Sequence, residues 1–259
     1  MSDAFYIGAV GLSAQQQALD GIANNIANVN TPAFKRSQLR FADMVATRST
    51  ETNAADQQQP IAPASTTGVA LDAQFMINEQ GELDHTGQAM DLAIDGHGFI
   101  ELMGPGGQSL LWRGGALKVN EDGLLATSHG LALRAAITVP SDATAIEIGS
   151  DGIVRATAPD STDPVELGQI QLVRLDDADS VERLDGGLYR VRDGAAPLTD
   201  AAPGEDGAGM LVQGAIEQSN VALTDEMVRL MMVQRAYAAN AQIVQAADQM
   251  MATANSLRR

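Results

Sequence analysis

Apolar residues recur at every seventh position near both ends of this chain, and the middle has no such pattern. Near the N-terminus Phe5, Leu12, Leu19 and Ile26 keep the spacing, with Ile22 and Val29 three positions beyond Leu19 and Ile26. Near the C-terminus Leu223, Leu230, Tyr237, Val244 and Met251 keep it, with Met227 between the first two. Such spacing holds one stripe on one side of an α-helix, as packing against another helix requires. About 180 residues of Gly-punctuated, β-like sequence separate the two ends. A β-rich body bracketed by two adhesive helices points to assembly rather than turnover.

Charge follows the same division. Residues 1–36 and 217–259 each sum to zero, so the whole net charge of −17 lies in 37–216, with 27 acidic against 10 basic residues. Neutral ends pack against copies of themselves, whereas an acidic middle repels nucleic acid and anionic membrane. The absence of cysteine excludes disulfides, a thiolate nucleophile and a Cys-ligated metal. Only 3% of residues are aromatic, so Ala, Leu, Ile, Val and Met must fill the core. No apolar run approaches the ~20 residues of a membrane span. Met1-Ser2-Asp3 is no basic leader, so no cleavable secretory signal is expected.

The pattern predicts a helix over 3–30, ended by Thr31-Pro32 because a residue before proline is pushed from α geometry. The Asn-rich run 24–30 is a poor helix former, which calls for compensating side-chain hydrogen bonds across a helix interface. Residues 34–45 are ambiguous between helix and strand. Residues 46–68, rich in Thr, Gln, Ala, Ser and Pro, read as a linker or extended arm. From 69 to 215, short Val/Ile/Leu runs broken by Gly turns predict an all-β domain, and 193–209 reads as a loop. A second helix is expected over 224–257, capped by Thr224, with Asp225 and Glu226 favoured at its N-terminal end. The domain reading is therefore 1–36 and 216–259 as two halves of a helical part, 37–68 as the arm, and 69–215 as the β body.

Nothing in the sequence carries catalytic chemistry. His85, His97 and His129 stand apart, without triad or metal-ligand spacing. Asp95-Gly96-His97-Gly98 lacks the third glycine of a dinucleotide site, and Gly104-Pro105-Gly106-Gly107 lacks the Lys-Ser/Thr of a phosphate loop. Asp176/Asp177 and Glu205/Asp206 read as solvated loop acids. No enzyme activity, cofactor or metal is expected.

Several motifs resemble one family. Asn24-Asn25-Ile26-Ala27-Asn28-Val29-Asn30-Thr31-Pro32-Ala33-Phe34-Lys35 resembles the "ANNLANxxTxGFK" signature of bacterial flagellar rod and hook proteins. This chain has Ile26 for the common Leu and Pro32-Ala33 where a Gly usually precedes the Phe, which should stiffen the exit from the helix. Gly214-Ala215-Ile216-Glu217-Gln218-Ser219-Asn220-Val221 is similar to the family's "GxxExSNV" turn, and Gln234-Arg235-Ala236-Tyr237 to its "QRAY" helix. Leu92–Phe99 resembles a family strand-turn-strand, so the likeness runs along nearly the whole chain.

The resemblance implies an α+β fold in which the terminal helices pair as an antiparallel coiled coil beside a central all-β domain. It implies a structural subunit of the basal-body rod, most like distal rod members, self-assembling into a helical tube that transmits torque from motor to hook. Implied partners are copies of itself, other rod subunits, hook subunits, surrounding bushing rings and the flagellar type III export apparatus. The implied location is the rod where it crosses the periplasm. The alternatives are a proximal rod subunit, or a secreted β-domain binding module dimerised by its helices.

Overall fold

The computed structural model describes residues 2–44, 68–159, 163–175, 180–192 and 198–256. The arm expected over 46–68 lies outside them except for Gly68, and Asp176/Asp177 also lie outside. The fold class is α+β, with a helix at each end and strands between. By its internal packing the chain divides into two units. One comprises Met1–Ile22, Gln38–Gln74 and Met227–Arg259, the other Ala23–Ser37 and Phe75–Glu226.

Helix α1 covers Ser2–Ala27 and helix α2 covers Leu223–Ser256. The expected end of α1 at residue 30 is corrected to Ala27. The Asn28 side-chain amide donates to Asn24 O at 2.8 Å, and Thr31 Oγ1 donates to Asn28 Oδ1 at 3.1 Å. Backbone bonds tighten to i→i−3 here, Val29 N donating to Ile26 O and Thr31 N to Asn28 O, so the α-helix ends before Pro32 exerts its effect. The expected cap Thr224 lies inside the first turn of α2. The N–H groups of Asp225 and Glu226 donate to Ala222 O, so a backbone carbonyl one residue outside the helix begins it. At 1.5 Å per residue, α2 is ~50 Å long. Among the described residues no helix is long and apolar enough to cross a membrane.

In the first unit the ambiguous 34–45 stretch resolves as strand β1 (Ser37–Met44), which pairs with β2 (Gly68–Phe75). The second unit is built on antiparallel strands. Short strands are β3 (Leu83–His85), β4 (Asp91–Asp95), β5 (Phe99–Met103), β6 (Ser109–Trp112), β7 (Gly114–Val119) and β8 (Leu125–Thr127). They continue as β9 (Ala145–Ile148), β10 (Ile153–Thr157), β11 (Val165–Gln169), β12 (Leu172–Arg174), β13 (Val181–Arg183) and β14 (Leu188–Val191). The last are β15 (Thr199–Ala201), β16 (Met210–Gln213) and β17 (Ala215–Glu217). A six-stranded sheet runs β13-β14-β6-β5-β12-β15, a four-stranded sheet β16-β4-β7-β8, a three-stranded sheet β11-β10-β9, and β17 pairs with β3. Strand β15 falls inside the loop expected over 193–209. It is an edge strand whose Thr199-Asp200-Ala201 has no apolar alternation, so only its pairing with β12 reveals it.

The six-stranded sheet explains why its central strands β6, β5 and β12 are largely apolar. Successive side chains point to opposite faces. Ile100, Leu102, Leu110, Trp112 and Leu172 enter one core with Leu92 and Ile94 of β4 and Leu211 of β16. Their neighbours Phe99, Leu111, Val173, Val181 and Tyr189 form a second core on the other face. Register agrees: Ile100 pairs with Leu172 and Trp112, while Phe99 pairs with Val173 and Leu111 with Tyr189. Both faces of these central strands being buried, polar alternation is lost there.

Candidate assembly site

The two family-like motifs, almost two hundred residues apart, meet in the second unit. After α1 the chain turns back through Ala33, whose φ of 55° is a left-handed conformation that an L-residue pays for. It is held there by its own N–H, which donates to Glu217 O at 2.7 Å. From Ala33 the chain runs along 217–220. Asn220 N donates to Phe34 O, and Arg36 N donates to Asn220 Oδ1 at 2.7 Å. The Asn220 amide donates in turn to Met76 O and Glu79 O, so one side chain ties three segments. Phe34 is fully buried beneath the Arg183 guanidinium, whose carbon lies 3.8 Å from the ring centre.

Beneath this backbone clasp lies a buried ion triad. Lys35 Nζ donates to Glu217 Oε1 at 2.6 Å, and Arg113 Nε donates to Glu217 Oε2 at 2.9 Å. Lys35 and Glu217 have no exposed side-chain surface, and Arg113 almost none. Two cations share one anion, and backbone carbonyls accept from three further donors. Glu79 O accepts from Lys35 at 2.6 Å, while Gly98 O and Gly96 O accept from Arg113. Gly81 N adds a further bond to Glu217 Oε1 at 2.8 Å. Gly81 is obligatory, since a Cβ there would stand 1.9 Å from Gln218 O. Burial pushes the Lys35 ammonium below its ordinary pKa; Glu217 opposes that shift and Arg113 adds to it.

A second polar contact joins the helix ends. Asn25, buried in the last turns of α1, donates to Ser37 O at 2.9 Å and accepts from Ser37 N at 3.0 Å. The same amide donates to Glu226 Oε2 at 3.3 Å, and Glu226 is fully buried in the first turn of α2. Arg36 Nη1 lies 3.9 Å from the other oxygen of Glu226. Within the first unit, a Cβ built on Gly11 would lie 3.3 Å from Asn240 Nδ2.

The structure therefore gathers Asn25, Phe34, Lys35, Asn220 and Val221 into one buried junction, with Thr31 and Ser219 in its flanking turns. Asn28 acts on its own helix, and Asn24 is exposed. Ile22 is buried; Leu12, Leu19, Ile26, Val29, Leu230 and Val244 are half-buried. Leu223, Met227, Gln234, Arg235 and Tyr237 are exposed. Phe5 and Met251 lie in the helices, but their side chains are outside those described. Sequence reasoning did not single out Arg113 or Glu79, and it placed Glu226 only as an acid at the N-terminal end of the second helix. Glu217 had a signal, as the acid of the "GxxExSNV" turn. Arg113 had a weaker one, a charge directly after the apolar run Leu110-Leu111-Trp112. Among the described residues no group of three or more His, Asp or Glu could hold a metal.

Three family models match separate stretches of the chain. Residues 5–35 match the family described as flagella basal body rod protein. Residues 93–156 match the D1 domain of flagellar hook proteins FlgE/F/G, and 212–257 the C-terminal part of basal body rod FlgEFG proteins. The flagellar basal-body rod protein FlgG of Borreliella burgdorferi is 33% identical over 264 residues, covering 100% of both chains. FlgG of Buchnera aphidicola subsp. Baizongia pistaciae is 32% identical, covering 97% of this chain and 98% of the relative. FlgF of Caulobacter vibrioides is 32% identical, covering 92% and 90%. The chain belongs to the flagellar basal-body rod protein family, whose members are structural proteins and not enzymes.

Proposed function

We propose that this chain is a structural subunit of the bacterial flagellar rod that polymerises through its terminal helices. One observation carries this reading: α2 is apolar on two sides. At 100° per residue, Val228, Met232, Ala239, Ile243, Ala246 and Met250 fall within a sector of about 60°. This sector faces water, with Met232 64%, Ile243 65% and Met250 68% exposed. The half-buried residues Arg229, Leu230, Val233, Asn240, Ala241, Val244 and Ala247 lie on another side, about 120° away. A lone subunit leaves the first side uncovered, and a neighbouring copy would bury it.

Within the family, the fuller coverage by FlgG relatives supports the distal rod as this subunit's place, with the proximal rod as the alternative. In that place the helices pair antiparallel as a coiled coil on the inside of a helical tube. The β body forms the wall, and the 37–68 arm braces neighbours. Torque passes from motor to hook through many weak contacts. Other rod subunits and hook subunits adjoin it, with bushing rings around it. Subunits reach the tip of the periplasm-crossing rod through the flagellar type III export apparatus, without a cleavable signal.

Ile243→Asp tests the reading. The side chain is exposed in the subunit, so the purified variant should keep its stability within about 0.5 kcal/mol, as surface substitutions do. Cells carrying it as their sole copy should lack rods and be non-motile. Normal rods built from this variant would refute assembly through this face.

A further inference from the structure

Two separate contacts between α1 and α2 report the same alignment. Asn25 bonds Glu226, and Gly11 lies against Asn240. Gly11 is fourteen residues before Asn25, and Asn240 is fourteen after Glu226. Equal offsets in opposite directions arise when two helices run antiparallel in one register.

We propose that α1 and α2 of one subunit are locked in this single register, and that Asn25–Glu226 and Asn240 against Gly11 are its determinants. The proposal rests on the helix pairing proposed above and adds which residues face each other and what prevents slippage. Counting back from Asn25 and forward from Glu226, Gly21 faces Leu230, Ala18 faces Val233 and Ala14 faces Tyr237. Every α1 residue in this seam is small and each α2 partner is larger, so the backbones approach closely and α2 fills the space.

Burial agrees with the alignment. The buried and half-buried residues of α2, Glu226, Arg229, Leu230, Val233, Asn240, Ala241, Val244 and Ala247, lie on the seam side of the helix, where Tyr237 alone of the facing positions is exposed. Ala14 and Asn25 on α1 are buried. Apolar heptads alone tolerate a shift of one repeat, because each shifted residue again meets an apolar partner. Buried polar groups do not. A seven-residue slip would strand the Glu226 carboxylate without the Asn25 amide and press Asn240 against Ala18 or Ala4 in place of a glycine. A single polar residue in an apolar seam is a well-attested way to specify register.

The chain has no cysteine, so introduced pairs report alone. In dilute full-length protein, Ala14→Cys/Tyr237→Cys is the facing pair; Ala14→Cys/Leu230→Cys and Ala14→Cys/Val244→Cys are each displaced by one repeat. Under mild oxidation the facing pair should form an intramolecular disulfide at least about tenfold faster than either displaced pair, the factor that 1.4 kcal/mol represents. Adding Asn25→Ala and Asn240→Ala should bring the three pairs to within about threefold of one another, while circular dichroism shows the helices retained. A displaced pair closing as fast as the facing pair in the parent chain would overturn the register and leave the pairing standing. Failure of all three pairs to close within a chain would overturn the pairing as well. An undiminished preference after the two Asn substitutions would overturn the role assigned to them.

Discussion

Glu217 is the residue on which the junction turns. It anchors Lys35, Arg113 and Gly81 N, and its carbonyl holds Ala33 in a left-handed conformation. Removing one member of a buried ion group costs more than the pair itself contributes, because the survivors stay desolvated without compensation. Glu217→Gln leaves two buried cations facing no anion and should destabilise the second unit by about 3–5 kcal/mol. Lys35→Met leaves the neutral pair Glu217–Arg113 and fills the same volume with an apolar stem, so it should cost clearly less. Chemical denaturation of both variants checks the order; equal losses would mean that packing, and not charge, governs the site. Tyr189 makes the opposite case. Its ring packs edge-on against Phe99 at 5.4 Å, but its buried hydroxyl finds no partner among the described residues. Burial pushes its pKa up to about 12 from 10.0. Between those values an unfolded chain has released the proton and the folded chain holds it. Stability present below pH 10 is therefore lost as the pH rises toward 12, by about 2–3 kcal/mol. Tyr189→Phe should abolish that part of the alkaline loss and leave neutral-pH stability unchanged or higher by about 1 kcal/mol. Melting curves from pH 8 to 12 on both proteins test this.

At the level of elements, what the sequence disclosed depended on how local each signal was. Helix α2 was legible almost to the residue because it contains neither Gly nor Pro over its 34 residues and its stripe is regular. The end of α1 was misplaced because the backbone tightens to i→i−3 bonds over residues 28–31, an outcome that composition does not distinguish from continuation. Two strands of the six-stranded sheet, β5 and β12, were found as apolar runs, and the meaning of those runs, two cores on two faces, emerged only with Phe99 and Ile100 assigned to opposite sides. Strand β15 carried no pattern. The junction was half legible: the motifs supplied Asn25, Lys35 and Asn220, but nothing in sequence spacing links Lys35 to Glu217 across 182 positions, or Arg113 to Glu217 across 104. Such pairs are set by topology, since β17 must first join β3 to bring Glu217 beside the returning N-terminal segment.

For the whole molecule, the uneven charge makes assembly a balance between attraction at the ends and repulsion in the middle. The terminal segments are neutral and carry the exposed apolar side of α2, while the −17 net charge lies in 37–216. Apolar contact between copies depends little on modest salt, whereas repulsion between acidic bodies acts over a Debye length, ~30 Å at 0.01 M and ~10 Å at 0.1 M ionic strength. Raising sodium chloride over that range should therefore lower the protein concentration at which the purified subunit begins to self-associate. Ile243→Asp, which disables the attractive face and leaves the repulsion intact, should remain monomeric across the range. Sedimentation velocity at a series of salt concentrations distinguishes the possibilities. Association that weakens as salt rises would show that ion pairs between copies hold the assembly together, and the neutral helical ends would then not be its principal contact.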